Sequence, residues 1–118
     1  MKPYTHAVIS AKRYGGVPED YIELHNFMDS SKACYPHIAH RAVLHSSFGI
    51  FIGEKVFGVT ITNSEGKQIS TRDVLEHHVH EDLGFIPTVE DWLQNLELKD
   101  WMQAKGKKDK TVIPNNID

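Results

Sequence analysis

Cysteine is almost missing from this chain: Cys34 is the only one in 118 residues. One thiol closes no disulfide within the chain and falls short of the two thiolates that a cysteine-based zinc finger needs. The setting that fits is a reducing cytosol. Long apolar runs are lacking too. No segment approaches the roughly 18 apolar residues of a membrane span, and Met1 to His6 holds no apolar stretch of signal-peptide length. A cytoplasmic protein with no membrane partner is therefore expected. There is no basic excess either. Thirteen Lys and Arg face 16 Asp and Glu, a formal charge of −3, which exerts no overall pull on a polyanion and disfavours nucleic acid as a partner. Gly15-Gly16 lacks the further glycines and the preceding strand of a nucleotide-binding loop, and neither H-E-x-x-H nor a C-x-x-C pair occurs.

What is present is histidine, eight in all, six of them in two clusters: His37, His40 and His45, then His77, His78 and His80. Histidine titrates near neutral pH and is the commonest metal ligand, so chemistry is sought here first. The remaining composition is ordinary. Hydrophobic residues make up 40% and charged residues 25% of the chain, which predicts a folded domain rather than disorder. The length suits one domain over residues 1–104, followed by a polar tail over 105–118 that contains the lysine-rich run Lys105 to Lys110.

Hydrophobic spacing predicts a mainly α fold of about four helices with one short β-hairpin. Gly15-Gly16-Val17-Pro18 punctuates the backbone, and a first helix is expected from Pro18 to Ala33, with Leu24, Phe27 and Met28 on one side and His25, Asp29 and Lys32 along its flank. A second helix is expected from Pro36 to Phe57. It is apolar around most of its circumference and so central and buried, and Ala39, Ala42, Ser46, Gly49 and Gly53 form a stripe for close packing. Val59–Thr62 and Lys67–Ser70 flank the turn Asn63-Ser64-Glu65-Gly66 as a hairpin. A third helix starts after Ser70 or Thr71 and stops at Gly84, and a short fourth follows the Thr88-x-x-Asp91 capping pattern.

The third helix yields the most specific site inference. Val74, Leu75, Val79 and Leu83 define its inward face, and His78 and Asp82 lie within that face, four residues apart and able to meet. His77 and His80 point outward. A buried Asp needs a partner, here His78, Arg41 or Arg72. Two accounts stay open: a carboxylate that ties helices together beside a packed core histidine, or a polar pocket in which Asp82 orients His78 as a base or metal ligand. On a straight second helix His40 and His45 diverge by about 140°, so a metal would draw its ligands from several helices. The candidate metal set is His40 and Glu54 from the second helix, His78 and Asp82 from the third, and His25 and Asp29 from the first. A divalent, zinc-like ion is the cofactor considered. Cys34 reads as inert packing, and Trp92 and Trp101 read as core or cap aromatics unless exposed, when they would mark an interface.

Several stretches also match a known pattern: Gly15-Gly16-x-Pro18-Glu19-Asp20-Tyr21, His40-Arg41-Ala42 with His45, Phe48-Gly49-Ile50-Phe51, Glu81-Asp82-Leu83-Gly84, Ile86-Pro87-Thr88 and Asp91-Trp92-Leu93. In these the chain resembles a family of short uncharacterised proteins encoded by bacteriophages and bacteria, over roughly His6 to Met102. The resemblance implies a phage or prophage setting and supplies no catalytic roles. Whether the protein is an enzyme stays open. One expectation is a metal-binding or hydrolase-like helical domain with a His/carboxylate pocket; the alternative is a non-enzymatic homo-oligomer that binds a host protein or a small ligand.

Overall fold

A computed structural model describes residues 1–105; the tail expected from 105 onward lies almost wholly outside the described residues. The fold is mainly helical with one hairpin. Its elements are α1 (Pro3–Tyr14), α2 (Ile22–Met28), α3 (Arg41–Leu44), α4 (Ser47–Phe57), β1 (Thr60–Thr62), β2 (Gln68–Ser70), α5 (Thr71–Leu83) and α6 (Val89–Leu93), with short 3-10 turns at Pro18–Asp20, Ser30–Ala33, Ile38–His40 and Asp100–Gln103. The strands pair antiparallel with Ile61 opposite Ile69.

The N-terminal helix is the largest departure from the sequence reading. α1 has Pro3 at its start, Lys12 and Arg13 in its last turn and Gly15 at φ +90° beyond its end, which are ordinary start and stop signals. Its buried face, however, is His6, Ala7 and Ser10, so no apolar stripe announces it. The helix expected over Pro18–Ala33 is shorter, since α2 spans seven residues between two 3-10 turns.

The long second helix is broken. After α3 the chain turns at His45 (φ −81°, ψ 67°), and Ser46 caps α4 by accepting a hydrogen bond from the Gly49 amide. A Cβ on Gly49 would lie 1.8 Å from the Leu44 carbonyl oxygen, so only glycine fits the inside of this corner. Two further bonds brace it: the Trp92 indole donates to the His45 carbonyl (2.8 Å) and the Ser47 amide donates to the Pro87 carbonyl (2.9 Å). Nor is this segment buried all round. Ile38, Val43, Phe48, Phe51 and Val56 are exposed, and Leu44 and Ile50 alone among its large apolar side chains are buried.

The central element is instead α5, which packs against α1, α2 and α4. It buries Thr71, Val74, Leu75, His78 and Val79, the face that its apolar spacing predicts. Gly53 of α4 admits Leu75, whose Cδ1 would stand 2.2 Å from any Cβ there. His77 does not simply face solvent: it is half-buried and hydrogen-bonded to the Tyr14 hydroxyl, whereas His80 is exposed as expected. Cys34 is exposed rather than packed.

Buried side chains among the described residues divide almost evenly, ten polar against ten apolar and Pro87, and five of the ten polar ones are histidines: His6, His25, His40, His45 and His78. Polar groups removed from water without partners cost free energy. A core half made of them needs most of them to satisfy one another, and the five histidines do so with serines, aspartates and each other at the junction of α1, α2, α5 and the α3–α4 corner, His45 Nδ1 excepted.

Candidate metal centre

Asp82, on the last turn of α5, is the hub, its side chain 1% exposed. Its Oδ1 accepts from His6 Nε2 (3.1 Å), with the Arg41 guanidinium 3.6 Å away; its Oδ2 accepts from His45 Nε2 (2.9 Å) and faces His78 Nε2 (3.3 Å). Arg72 pairs with Glu76 instead. Burial pushes the Asp82 carboxyl up, but the hydrogen bonds from His45, His6 and His78 outweigh that and hold it well below the usual carboxylate range.

Asp29, just beyond α2, faces the same point from the opposite side. Its Oδ1 lies 3.3 Å from His78 Nε2 and 3.6 Å from His45 Nε2. Asp29, His45, His78 and Asp82 thus each offer one ligand atom, all within 4.8 Å of one another. Four of the separations are 2.9, 3.3, 3.3 and 3.6 Å. A tetrahedral ion with ligands at about 2.0 Å has ligand–ligand edges of about 3.3 Å. The His–Asp separations therefore suit ligands about 2 Å from one small cation, and two imidazoles with two carboxylates suit zinc or a similar first-row metal better than all-oxygen magnesium or calcium.

A second group of potential ligands, His6, His25 and His78, is also buried, but its geometry differs. The three rings stack, with centroids 3.8 to 5.4 Å apart and planes within 26° of parallel. An imidazole lone pair lies in the ring plane, so stacked rings do not aim at a shared ion. These residues instead support the four. His25 Nδ1 meets His78 Nδ1 at 2.8 Å, and His25 Nε2 meets Ser10 Oγ at 2.8 Å. When His78 Nδ1–H donates to His25 Nδ1, His25 carries its proton on Nε2 and donates to Ser10, and His78 Nε2 is left to face the two aspartates. Burial, reinforced by the neighbouring His78 and His6, pushes His25 down to about 3, so it stays neutral. His6 holds Asp82 on one side and Glu81 on the other (Nδ1–Oε1 2.6 Å), and Arg13 anchors Glu81. Carboxylates and histidines that ligate metals are steered by outer partners of this type.

A proton on His78 can bridge the two aspartates. Burial lowers the His78 imidazole, but hydrogen bonds to Asp29 and Asp82 more than compensate and raise it, so its Nε2–H sits between the two carboxylates. His45 is pushed down by burial in spite of its bond to Asp82, and its Nδ1 has no hydrogen-bond partner.

Of the six residues singled out from the sequence, Asp29, His78 and Asp82 converge, and His25 stands directly behind His78. His40 lies edge-on to His45, with ring centroids 6.0 Å apart. Glu54 lines a separate cleft with Arg72 and Glu76. Sequence reasoning missed His45 and His6. Ser46 as a helix cap and Pro3 and Gly15 as helix bounds were the signals that could have found them, because each changes the direction in which a histidine points.

The model of a domain of unknown function, DUF6915, matches residues 1–102. The chain belongs to that family. No curated protein and no solved structure matches it. The DUF6915 match spans every residue of the His/Asp cluster and ends two residues short of the expected domain boundary at 104.

Proposed function

We propose that this protein holds one divalent metal ion of the zinc type through Asp29, His45, His78 and Asp82, and uses it in a hydrolase-like reaction. The observation that carries the metal is the convergence of four ligand atoms within 4.8 Å of one another, with His–Asp separations of 2.9 to 3.6 Å, drawn from the residue just beyond α2, the α3–α4 corner and α5. With Asp29, the most exposed of the four, giving up its position to water, an ion held by His45, His78 and Asp82 would act as a Lewis acid and lower the pKa of that water. Asp29 gives the centre its open side: its side chain is 15% exposed, and it lines a cleft of about 480 Å³. His40 lines the same cleft. The Ser31 hydroxyl donates to the His40 carbonyl, so His40 Nδ1–H donates to Ser31 Oγ, and His40 Nε2 is left as an acceptor for a proton from substrate or water.

The test is metal analysis of untagged protein, followed by reconstitution with zinc or cobalt(II). One equivalent is expected, with the visible spectrum of tetrahedral cobalt(II). Chelation should lower the unfolding temperature, since an ion at 100 times its dissociation constant stabilises by about 2.7 kcal/mol. Substoichiometric metal after reconstitution, with no thermal response to chelator, would overturn the proposal.

A second reading concerns assembly and is compatible with the first. Phe48 and Phe51 of α4 stack with ring centroids 6.1 Å apart, and both are about half exposed, as is Val56 of the same helix. Contiguous apolar surface of this kind marks an interface, and we propose that a second copy of the chain covers it. Light scattering after size exclusion should show a dimer or larger that Phe48→Glu with Phe51→Glu reduces to monomer; a monomeric parent protein would remove this reading. The phage or prophage setting and the cytosol belong to the proposal as well and rest on the residue pattern and the lone Cys34. Among the described residues no helix is long and apolar enough to cross a membrane.

A further inference from the structure

The cleft beside the cluster carries a chemical bias of its own. Its walls include Lys2, Lys32 and Arg41 as cations against the single carboxylate of Asp29, with His37 and His40 between them. Among the described residues Lys2 and Lys32 make no ion pair, and the only carboxylate near Arg41 is Asp82, at 3.6 Å. Lys2, Lys32 and Arg41, with the Met1 ammonium that stands 3.7 Å from Asp82, thus line one concave site in a chain whose net charge is −3. Two unpaired lysines and an arginine that shares its charge with Asp82 on one concave wall concentrate anions from solution. The cleft's volume of about 480 Å³ lies within the range of small-molecule sites and is far too small for a protein domain or duplex.

From this we infer that the cleft is the substrate site and that it takes a small oxyanion-bearing molecule, a phosphate or a carboxylate. Its anionic group sits between Lys2, Lys32 and Arg41 and turns toward the open, Asp29 side of the metal centre. The inference rests on the proposed metal site for the orientation of the ligand, but not for its charge. Arg41 has two tasks: it neutralises the outer oxygen of Asp82 and presents its remaining N–H donors to the cleft. Its fork matches two oxygens of a phosphate or carboxylate, whereas Lys2 and Lys32 act as point charges. His40 Nε2 adds an acceptor, so a ligand that carries a hydroxyl or a protonated oxygen beside its charged group is favoured over a bare anion. With an ion bound, the negative charge of Asp29 is compensated and the cleft becomes more cationic still.

The experiment is calorimetric titration of the full chain with inorganic phosphate and, separately, acetate, in metal-loaded and metal-free form, with metal content measured on each sample. Lys2→Glu with Lys32→Glu is the variant, since neither residue belongs to the His/Asp cluster. At least one anion should bind the parent protein, the charge-reversed variant should bind it ten-fold or more weakly at unchanged metal content and unfolding temperature, and the anion that binds more tightly names the class. Loaded protein that binds neither anion, or binding that charge reversal leaves intact, overturns the inference while the metal site stands. If the protein takes up no metal, the metal-free titration still decides: phosphate or acetate binding abolished by charge reversal upholds the anion site, and no binding removes it.

Discussion

Asp82→Asn should abolish stoichiometric metal binding and destabilise the fold more than any other single substitution in the cluster. The carboxylate is almost fully buried and takes contacts from His6, His45, His78 and Arg41 at 2.9 to 3.6 Å. An asparagine of the same shape turns one acceptor oxygen into an NH2 group and removes the charge. It leaves the cationic partners uncompensated and sets a donor against ring nitrogens that are themselves donors. Breaking a buried ion pair from one side costs about 3–5 kcal/mol, and in a domain of this size each kcal/mol shifts the unfolding temperature by about 4–8 °C. A fall of roughly 15 °C or more is expected in the metal-free protein, read by thermal denaturation. Outer-sphere changes weaken metal binding by about 10–100-fold, so loss of a ligand should exceed that range. Glu54→Gln is the control, because Glu54 lines the other cleft with Arg72 and Glu76. Equal behaviour of D82N and E54Q would remove Asp82 from the centre of the site.

The metal-free protein should lose stability steeply as pH falls from about 6.5 to 4. His25 is held to about 3 in the folded state, by burial and then by the neighbouring His78 and His6, against about 6.5 unfolded. His45 is shifted the same way by burial. Below pH 6.5 the unfolded chain therefore takes up protons that these folded histidines refuse, and each fully neutral histidine contributes a slope of about 1.4 kcal/mol per pH unit. His78 has the opposite sign, since its folded value is raised. Its contribution is complete below about 6.5 and is lost only as pH rises through the folded value, so it does not offset the acid slope. Asp29 and Asp82, both lowered, add their losses only below about pH 4. Urea denaturation of chelator-treated protein at pH 7, 6, 5 and 4 should lose about 3 kcal/mol from His25 alone, and His25→Gln should remove that share of the slope. A flat profile would show that these histidines are protonated in the folded protein. Metal-loaded protein should also release its ion over this range, because His78 Nε2 must give up its proton to ligate.

Much of this was legible along the chain, and unevenly so for physical reasons. α5 was readable because its inward face carries Val74, Leu75 and Val79 at helical spacing, and that phase carried His78 and Asp82 with it. The hairpin and α6 were readable from turn and capping residues, Asn63 to Gly66 and Thr88 with Asp91. α1 was not, since an inward face made of His6, Ala7 and Ser10 looks like an outward one until its partners are known. The α3–α4 corner was misread because continuous apolar residues suggested one helix through Ser46. Its break also leaves Phe48, Phe51 and Val56 exposed, although they read as core.

By itself the sequence determined a mainly helical domain, the helical register that sets His78 beside Asp82, and the presence of more histidines and carboxylates than a small core can bury unpaired. Only the tertiary structure decided which of them meet. His6, Asp29 and His45 are 76, 53 and 37 positions away from Asp82, and no periodicity along one element encodes contacts of that range. The turn at His45, braced by Gly49 and Trp92, aims its imidazole at Asp82, and the docking of α1 brings His6 in behind. The partners come from four segments, so the centre exists only once these are packed.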